Sequence, residues 1–324
     1  MIKLKTFGSF TVGNDLTSVQ EGAWRSKKLE KLFVYLAINR NRGVCIEDIS
    51  KAIWQVEEET DNPVGALKNL AYRLRKALRD ASFDEECIVS VRGGLYKWND
   101  DVEVSIDVEE FDRYINEAEF AFSRSKETAI ESYEKAIALY NGDFLSRLTD
   151  THWFMTLNAF YHSRYVNTVK ALAELYIDTG CYEKLEQLCT KAVVYERSDE
   201  QIYSYLILAR MRTKKVQMAF DTYETAKAIM DNDLGVRKTV MLNKVYEELL
   251  SVTKGVSSYN IDEVKDDISE ESMNGVFMCG YPVFKEIYHL EVRKSARSTV
   301  PESLVLVTVV PTVSYTHLRA HETS

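Results

Sequence analysis

Four prolines and thirteen glycines in 324 residues are few. That scarcity excludes a loop-rich β protein or a low-complexity chain and favours long helices. The five cysteines, Cys45, Cys87, Cys181, Cys189 and Cys279, are odd in number and never stand in a C-x-x-C spacing. Neither a disulfide framework nor a zinc site is expected, which suits a reducing compartment. No window has the uninterrupted apolar length that spans a bilayer, and the opening Met-Ile-Lys-Leu-Lys-Thr-Phe alternates like a strand where an export signal would carry an apolar core. The expectation is a cytoplasmic protein without membrane attachment. Paired carboxylates, a nucleophile triad, a P-loop and metal ligands at usable spacing are also missing, so no enzyme, cofactor or metal is expected.

What is present is ordinary for a packed protein: 45% hydrophobic and 28% charged residues over a length that suits two or three domains. The net charge of −9 is unevenly spread: residues 1 to 100 carry 16 Lys and Arg against 14 Asp and Glu, a net of +2, and the remainder carries 25 against 36, a net of −11. The acidity therefore does not speak against an N-terminal contact with nucleic acid.

Residues Ile2 to Phe7 and Ser9 to Val12 read as two short strands, with Gly8 and Gly13-Asn14-Asp15 as turns. Leu29, Leu32, Phe33, Leu36 and Ala37 recur at helical spacing within Arg25 to Asn39, and Arg25, Lys27, Lys28 and Lys31 fall on other faces. A second, shorter helix is expected over Ile46 to Trp54. A third starts at Asp61-Asn62-Pro63, a cap followed by a first-turn proline, and runs to about Arg79.

This third helix has two chemically distinct faces. Val64, Leu67, Leu70, Ala71, Leu74 and Leu78 form an apolar stripe within about 60° of Leu67. Gly65, Asn69, Tyr72, Arg73, Lys76 and Arg79 project from the opposite side, where Arg and Asn suit base edges in a major groove. Lys68 and Arg75, on the flanks, suit phosphates. The plain alternative is a solvated surface helix, as most charge runs are. Against it stand the absence of any acid between Asp61 and Asp80 and the strand, Gly93-Gly94 turn and strand that follow, Ile88 to Arg92 and Leu95 to Trp98. Such a hairpin is a wing, with Arg92 and Lys97 placed for backbone or minor-groove contact. Two strands, three helices and a hairpin spell a winged helix, whose partner would be double-stranded DNA.

Trp24-Arg-Ser-Lys-Lys, Ile46-Glu-Asp-Ile-Ser-Lys-Ala-Ile-Trp54 and Ala66-Leu-Lys-Asn-Leu-Ala-Tyr-Arg-Leu-Arg-Lys-Ala-Leu78 resemble the antibiotic-regulatory-protein type of bacterial activator, which joins an OmpR-like winged helix to a tetratricopeptide-like bacterial transcriptional activator domain. The resemblance covers roughly residues 1 to 250. It implies that the helix from Pro63 is the recognition helix and that Arg92 to Lys97 is the wing; phosphorylation control of the usual response-regulator kind is not expected.

After Ser105 strand signals stop and amphipathic helices follow one another, which places a boundary near residue 102. Tyr176 to Ala192 lies over Arg210 to Ala226 at an offset of 34, the tetratricopeptide period, pairing Thr179 with Thr213, Leu185 with Ala219 and Ala192 with Ala226. Lys214 stands where the first copy has Gly180, so the second copy is degenerate. Thr128 to Tyr140 looks like half of a further repeat, and Asn141 to Leu145 turns into a long helix from about Trp153. Tyr161, Tyr165, Tyr176, Tyr203, Tyr205 and Tyr223 are expected in the core. Such an array suits interaction, with RNA polymerase, another protein or a second copy forming a homodimer as candidate partners. The competing function is a repeat-based scaffold or signalling protein with weak or no DNA binding.

The expected organisation is mainly α: an α+β winged helix over 1–102, the helical domain over 103–250, an acidic linker over 251–272 and an α/β fragment over 273–311. In the fragment a helix around Phe284 to Val292 and an apolar strand over Ser303 to Val310 loosely resemble the opening of a GGDEF-type nucleotide cyclase domain. Residues 312–324 are set aside. Val-Ser-Tyr-Thr-His-Leu-Arg-Ala-His-Glu-Thr resembles one reading frame of a transposase-type library adapter, so His317 and His321 are not taken as metal ligands, and the natural chain is expected to run longer.

Overall fold

The structure, a computed structural model, describes residues 1–14, 17–55, 62–83, 87–91, 94–233, 239–255 and 281–295. Arg92, Gly93, most of the acidic linker, the Ser303 to Val310 segment and residues 312–324 lie outside the described residues. Met1–Ser257 forms one compact unit and Ser258–Ser324 a second.

The first unit opens with strands β1 (Ile2–Lys5), β2 (Thr11–Gly13) and β3 (Ser18–Gln20). Along β1, Ile2 and Leu4 are buried while Lys3 and Lys5 are exposed, as a strand period of two requires. A later strand, β6 (Val104–Ile106), completes the order β3-β2-β1-β6, parallel to β1 while the other pairs are antiparallel. Neither β3 nor β6 is expected from the sequence. The first strand also stops before Phe7. The backbone N–H groups of Thr6 and Phe7 donate to the Asp107 carboxylate, at 2.7 and 3.0 Å, instead of to a neighbouring strand.

Three helices follow, α1 (Lys27–Ile38), α2 (Ile46–Ile53) and α3 (Pro63–Asp80), then the hairpin β4 (Ile88–Val91) and β5 (Leu95–Trp98). A paired bridge between Val44 and Tyr96 stitches the hairpin to the α1–α2 connection. The aromatic chain Phe10, Trp24, Phe33, Trp98, with ring centroids 5.3 to 5.9 Å apart, runs through the core beneath. One expectation is overturned here. Lys31, expected on a face other than the apolar one, is itself in the core: it is 2% exposed and ion-paired with Asp150, with its ammonium also over the Phe154 ring. A charge can be buried at that depth because a fixed counter-charge meets it.

The helical array consists of α4 (Asp107–Ala121), α5 (Lys126–Leu139), α6 (His152–Thr179), α7 (Tyr182–Tyr195), α8 (Glu200–Arg212), α9 (Val216–Asp233) and α10 (Val240–Gly255), each packed on the next. Its last helix runs five residues into the segment expected as linker. The 34-residue period is visible atom by atom. Thr179 and Thr213 each donate to the carbonyls four and three residues back, Leu175 and Tyr176 in one copy and Ala209 and Arg210 in the other. Leu185 and Ala219, and Ala192 and Ala226, are fully buried in both copies, and Ala129 and Ala136 occupy like positions in α5. Of the six tyrosines expected in the core, five are buried and Tyr205 is half-buried.

Gly180 and Lys214 both adopt left-handed backbone, with φ of 71° and 62°. The repeat demands that conformation in each copy, and only the first has the residue that adopts it without strain. Lys214 is exposed and makes no ion pair among the described residues. Lys214→Gly is therefore expected to stabilise the chain by about 1 kcal/mol, and Gly180→Ala to destabilise it by a similar amount, read as shifts of the urea midpoint.

Where the sheet meets the array, Asn141 to Leu145 docks on the end of β1. Gly8 donates to the Gly142 and Asp143 carbonyls, and Leu145 donates to that of Thr6 at 2.9 Å. Gly8 has a φ of 78°, and a Cβ there would come within 2.6 Å of the Asn141 carbonyl oxygen. His162 of α6 secures the same loop from behind. Its Nδ1 lies 2.8 Å from Asp143 and its Nε2 3.0 Å from Glu196, so the protonated ring can donate to a carboxylate from each nitrogen. Burial opposes that charge, but the hydrogen bonds to Glu196 and Asp143 outweigh it and hold the imidazole pKa above its ordinary value. A raised pKa means stability that is complete below the unfolded value and is lost as pH climbs through the folded one. As pH rises from the ordinary imidazole value of about 6.5 through the raised folded value, the melting temperature should fall, and His162→Gln should flatten that slope.

The second unit is described only at α11 (Tyr281–Ser295), which extends the helix expected around Phe284 to Val292 by three residues at each end. Ile287, Tyr288, Leu290 and Val292 on it are exposed.

Candidate nucleic-acid interface

Helix α3 is built to be held on one side and open on the other. Asn62 caps it, its side chain accepting from the Gly65 N–H at 2.9 Å, and Pro63 occupies the first turn, where its missing N–H costs nothing. Leu67, Leu70, Ala71, Leu74 and Leu78 are buried, none more than 4% exposed. Val64, expected in that stripe, is instead 44% exposed. The stripe's angle is right, but Val64 sits in the first turn, at the edge of the packed layer.

Lys68, Asn69, Tyr72, Arg73, Lys76 and Arg79 are all exposed on this helix. Lys68, Arg73 and Lys76 have no ion-pair partner among the described residues. Three uncommitted cations on a rigid helix of about five turns, with no acid until Asp80, form a concentrated positive field.

Arg75 has a different task from the one its flank position suggests. It is half-buried, and its Nε and Nη2 donate to the Ile88 carbonyl at 3.3 and 3.0 Å. The guanidinium thus ties the helix to the first strand of the hairpin and sets the angle between them. Lys97 on the return strand is ion-paired with Asp100. At the start of α1, Lys27 is exposed, Lys28 is half-buried with its ammonium 6.0 Å from the Trp54 ring centroid, and Arg25 is exposed in left-handed backbone with a φ of 52°. The arrangement brings six expected residues onto one face of one helix, turns Arg75 toward the hairpin, and leaves Arg25, Lys27, Lys28 and Lys97 on other elements.

Among the described residues, no group of three His, Cys, Asp or Glu side chains is placed to hold a metal ion, and no helix is long and apolar enough to cross a membrane.

Residues 106–250 match the bacterial transcriptional activator domain. The chain is 24% identical over 238 residues to the transcriptional regulator RedD of Streptomyces coelicolor, covering 72% of this chain and 67% of that protein. Its fold is similar to that of Mycobacterium tuberculosis EmbR, solved in complex with a low-affinity phosphopeptide, with a TM-score of 0.59 at 20% identity over 84% of this chain and 72% of that one.

Proposed function

From the match of residues 106–250 to the bacterial transcriptional activator domain, we propose that the chain is a sequence-specific DNA-binding activator whose α3 enters the major groove. The observation that carries this reading is the buried leucine stripe backed by the exposed, unpaired Lys68, Arg73 and Lys76.

Arg73 and Asn69, on the exposed face, read base edges; Lys68 and Lys76 neutralise phosphates; Tyr72 and Arg79 complete the face. Arg25, Lys27 and Lys28 at the start of α1, with Arg92 and Lys97 on the hairpin, add backbone contacts. Arg75 joins them as a positioning residue that holds the hairpin at its angle. The helical array supplies the contact to RNA polymerase, to another protein partner or to a second copy of the chain.

The test is a titration of the full chain against a duplex enriched from a random-sequence library, repeated across salt concentrations. With about six phosphates neutralised, log affinity should fall against log salt with a slope near −5. A slope near zero would reject the reading.

A further inference from the structure

The exposed side of α3 carries two apolar bodies as well as its cations. Val64 is 44% exposed and Tyr72 is 67% exposed, on a helix whose other large apolar side chains are buried. They belong to a single row of residues four apart, Val64, Lys68, Tyr72, Lys76, so apolar and cationic groups alternate along it. Each step of four advances about 6 Å along the axis, which puts Val64 and Tyr72 about 12 Å apart.

A major groove offers apolar side chains one distinctive target, the C5 methyl of thymine, which projects from the same edge that displays the hydrogen-bonding groups read by Arg and Asn. The cations of the row meet phosphates and guanine edges, and the apolar members are left with the methyls. Val64 is well prepared for that contact. Its turn is fixed by the Asn62 cap and by Pro63, and its branched Cβ allows little χ1 freedom, so docking freezes almost no motion. Its neighbour Gly65 has no side chain to stand between the groove wall and the valine.

Resting on the reading of α3 as the recognition helix, we propose that Val64 and Tyr72 determine sequence specificity by packing against thymine methyl groups, at two positions about three to four base pairs apart given the 3.4 Å rise per base pair. The operator then holds two preferred thymines on either side of the base read by Asn69, with the base read by Arg73 just beyond the thymine met by Tyr72. Tyr72 acts through its ring and not through its hydroxyl.

The experiment replaces thymine by uracil, one position at a time, in a duplex that the full chain enriches from a random-sequence library. Uracil keeps every hydrogen-bonding group and loses only the methyl. Two substitutions should each weaken binding about fourfold, the worth of one buried methyl, and the remainder should leave it unchanged. Val64→Ala should remove the penalty at one position and Tyr72→Ala at the other, while Tyr72→Phe keeps it. Both side chains are exposed, so the variants should retain the wild-type helical circular dichroism. Tight binding with no uracil-sensitive position, or with penalties that persist in Val64→Ala and Tyr72→Ala, overturns this inference and leaves the DNA-binding reading standing. Failure to enrich any duplex overturns both.

Discussion

A chain ended at residue 102 will not fold, although that is where the secondary structure changes from mixed to helical. The winged helix leaves its own sheet unfinished until β6, and without Val104–Ile106 the strand β1 becomes a bare edge. Phe7, only 4% exposed, packs against Phe111, Tyr140 and Tyr161 of the array with ring centroids 5.0 to 5.7 Å away. Uncovering that ring alone costs about 2 kcal/mol.

Asp107 adds a second anchor. Its carboxylate accepts from the backbone N–H groups of Thr6 and Phe7 and from the Thr6 hydroxyl at 2.6 Å, and it also accepts from the N–H of Val108. Lys31 would lose Asp150, and the Ala52 carbonyl would lose the Thr151 hydroxyl that donates to it at 2.8 Å. Orphaned buried donors and charges of this kind cost about 1–3 kcal/mol each or more, and together they match the whole stability of a typical domain.

A chain ended at residue 257 should melt cooperatively where the 102-residue chain shows no transition. Asp107→Ala in the full chain should cost about 3 kcal/mol in urea unfolding. Asp107→Asn should cost less. Burial pushes the Asp107 carboxyl above the usual carboxylate range, with the hydrogen bonds from Phe7 and Thr6 pulling the other way, so a neutral isostere is tolerated better than truncation. A well-folded 102-residue fragment would show that the seam is a docking surface and not part of a shared core.

Removing Lys68, Arg73 and Lys76 together, each to alanine, is expected to weaken DNA binding about a thousandfold at physiological salt while leaving the melting temperature within a few degrees. The three side chains are exposed and unpaired among the described residues, and alanine is the better helix former, so the fold loses nothing. The duplex loses three cations from its groove. The salt slope should also shrink by nearly three if all three neutralise phosphates, and by about two if Arg73 reads a base instead. Parallel titrations of wild type and triple variant read affinity and slope together. Unchanged affinity would move the binding surface off α3.

What the sequence discloses of this molecule, and what it hides, follows from the range of the interactions involved. Leu67, Leu70, Leu74 and Leu78 reveal a helix and its buried face because four leucines within three turns need only local geometry to be read. The repeat is legible for a similar reason: Thr179 and Thr213 satisfy their hydroxyls on their own helices, so the pattern recurs with the residue. Lys31 is illegible because its partner, Asp150, stands 119 positions away in the other half of the unit. Asp107 is hidden likewise, its acceptor role being visible only once β1 and α4 meet. A helical wheel gives the direction of Val64 and Arg75 but not which element, if any, covers that direction. For Val64 none does fully, and for Arg75 it is the Ile88 carbonyl. Lys214 shows the converse, since the fold imposes left-handed backbone on a residue that does not favour it.

Methylation at guanine N7 probes the major groove alone and so tests most directly whether α3 lies in it. On a duplex selected by the full chain, wild-type protein should shield at least one guanine N7 from dimethyl sulfate, and Arg73→Ala should restore reactivity at that guanine while the duplex is still bound. Shielding that is absent at every guanine, or identical in the wild type and Arg73→Ala, would contradict the account.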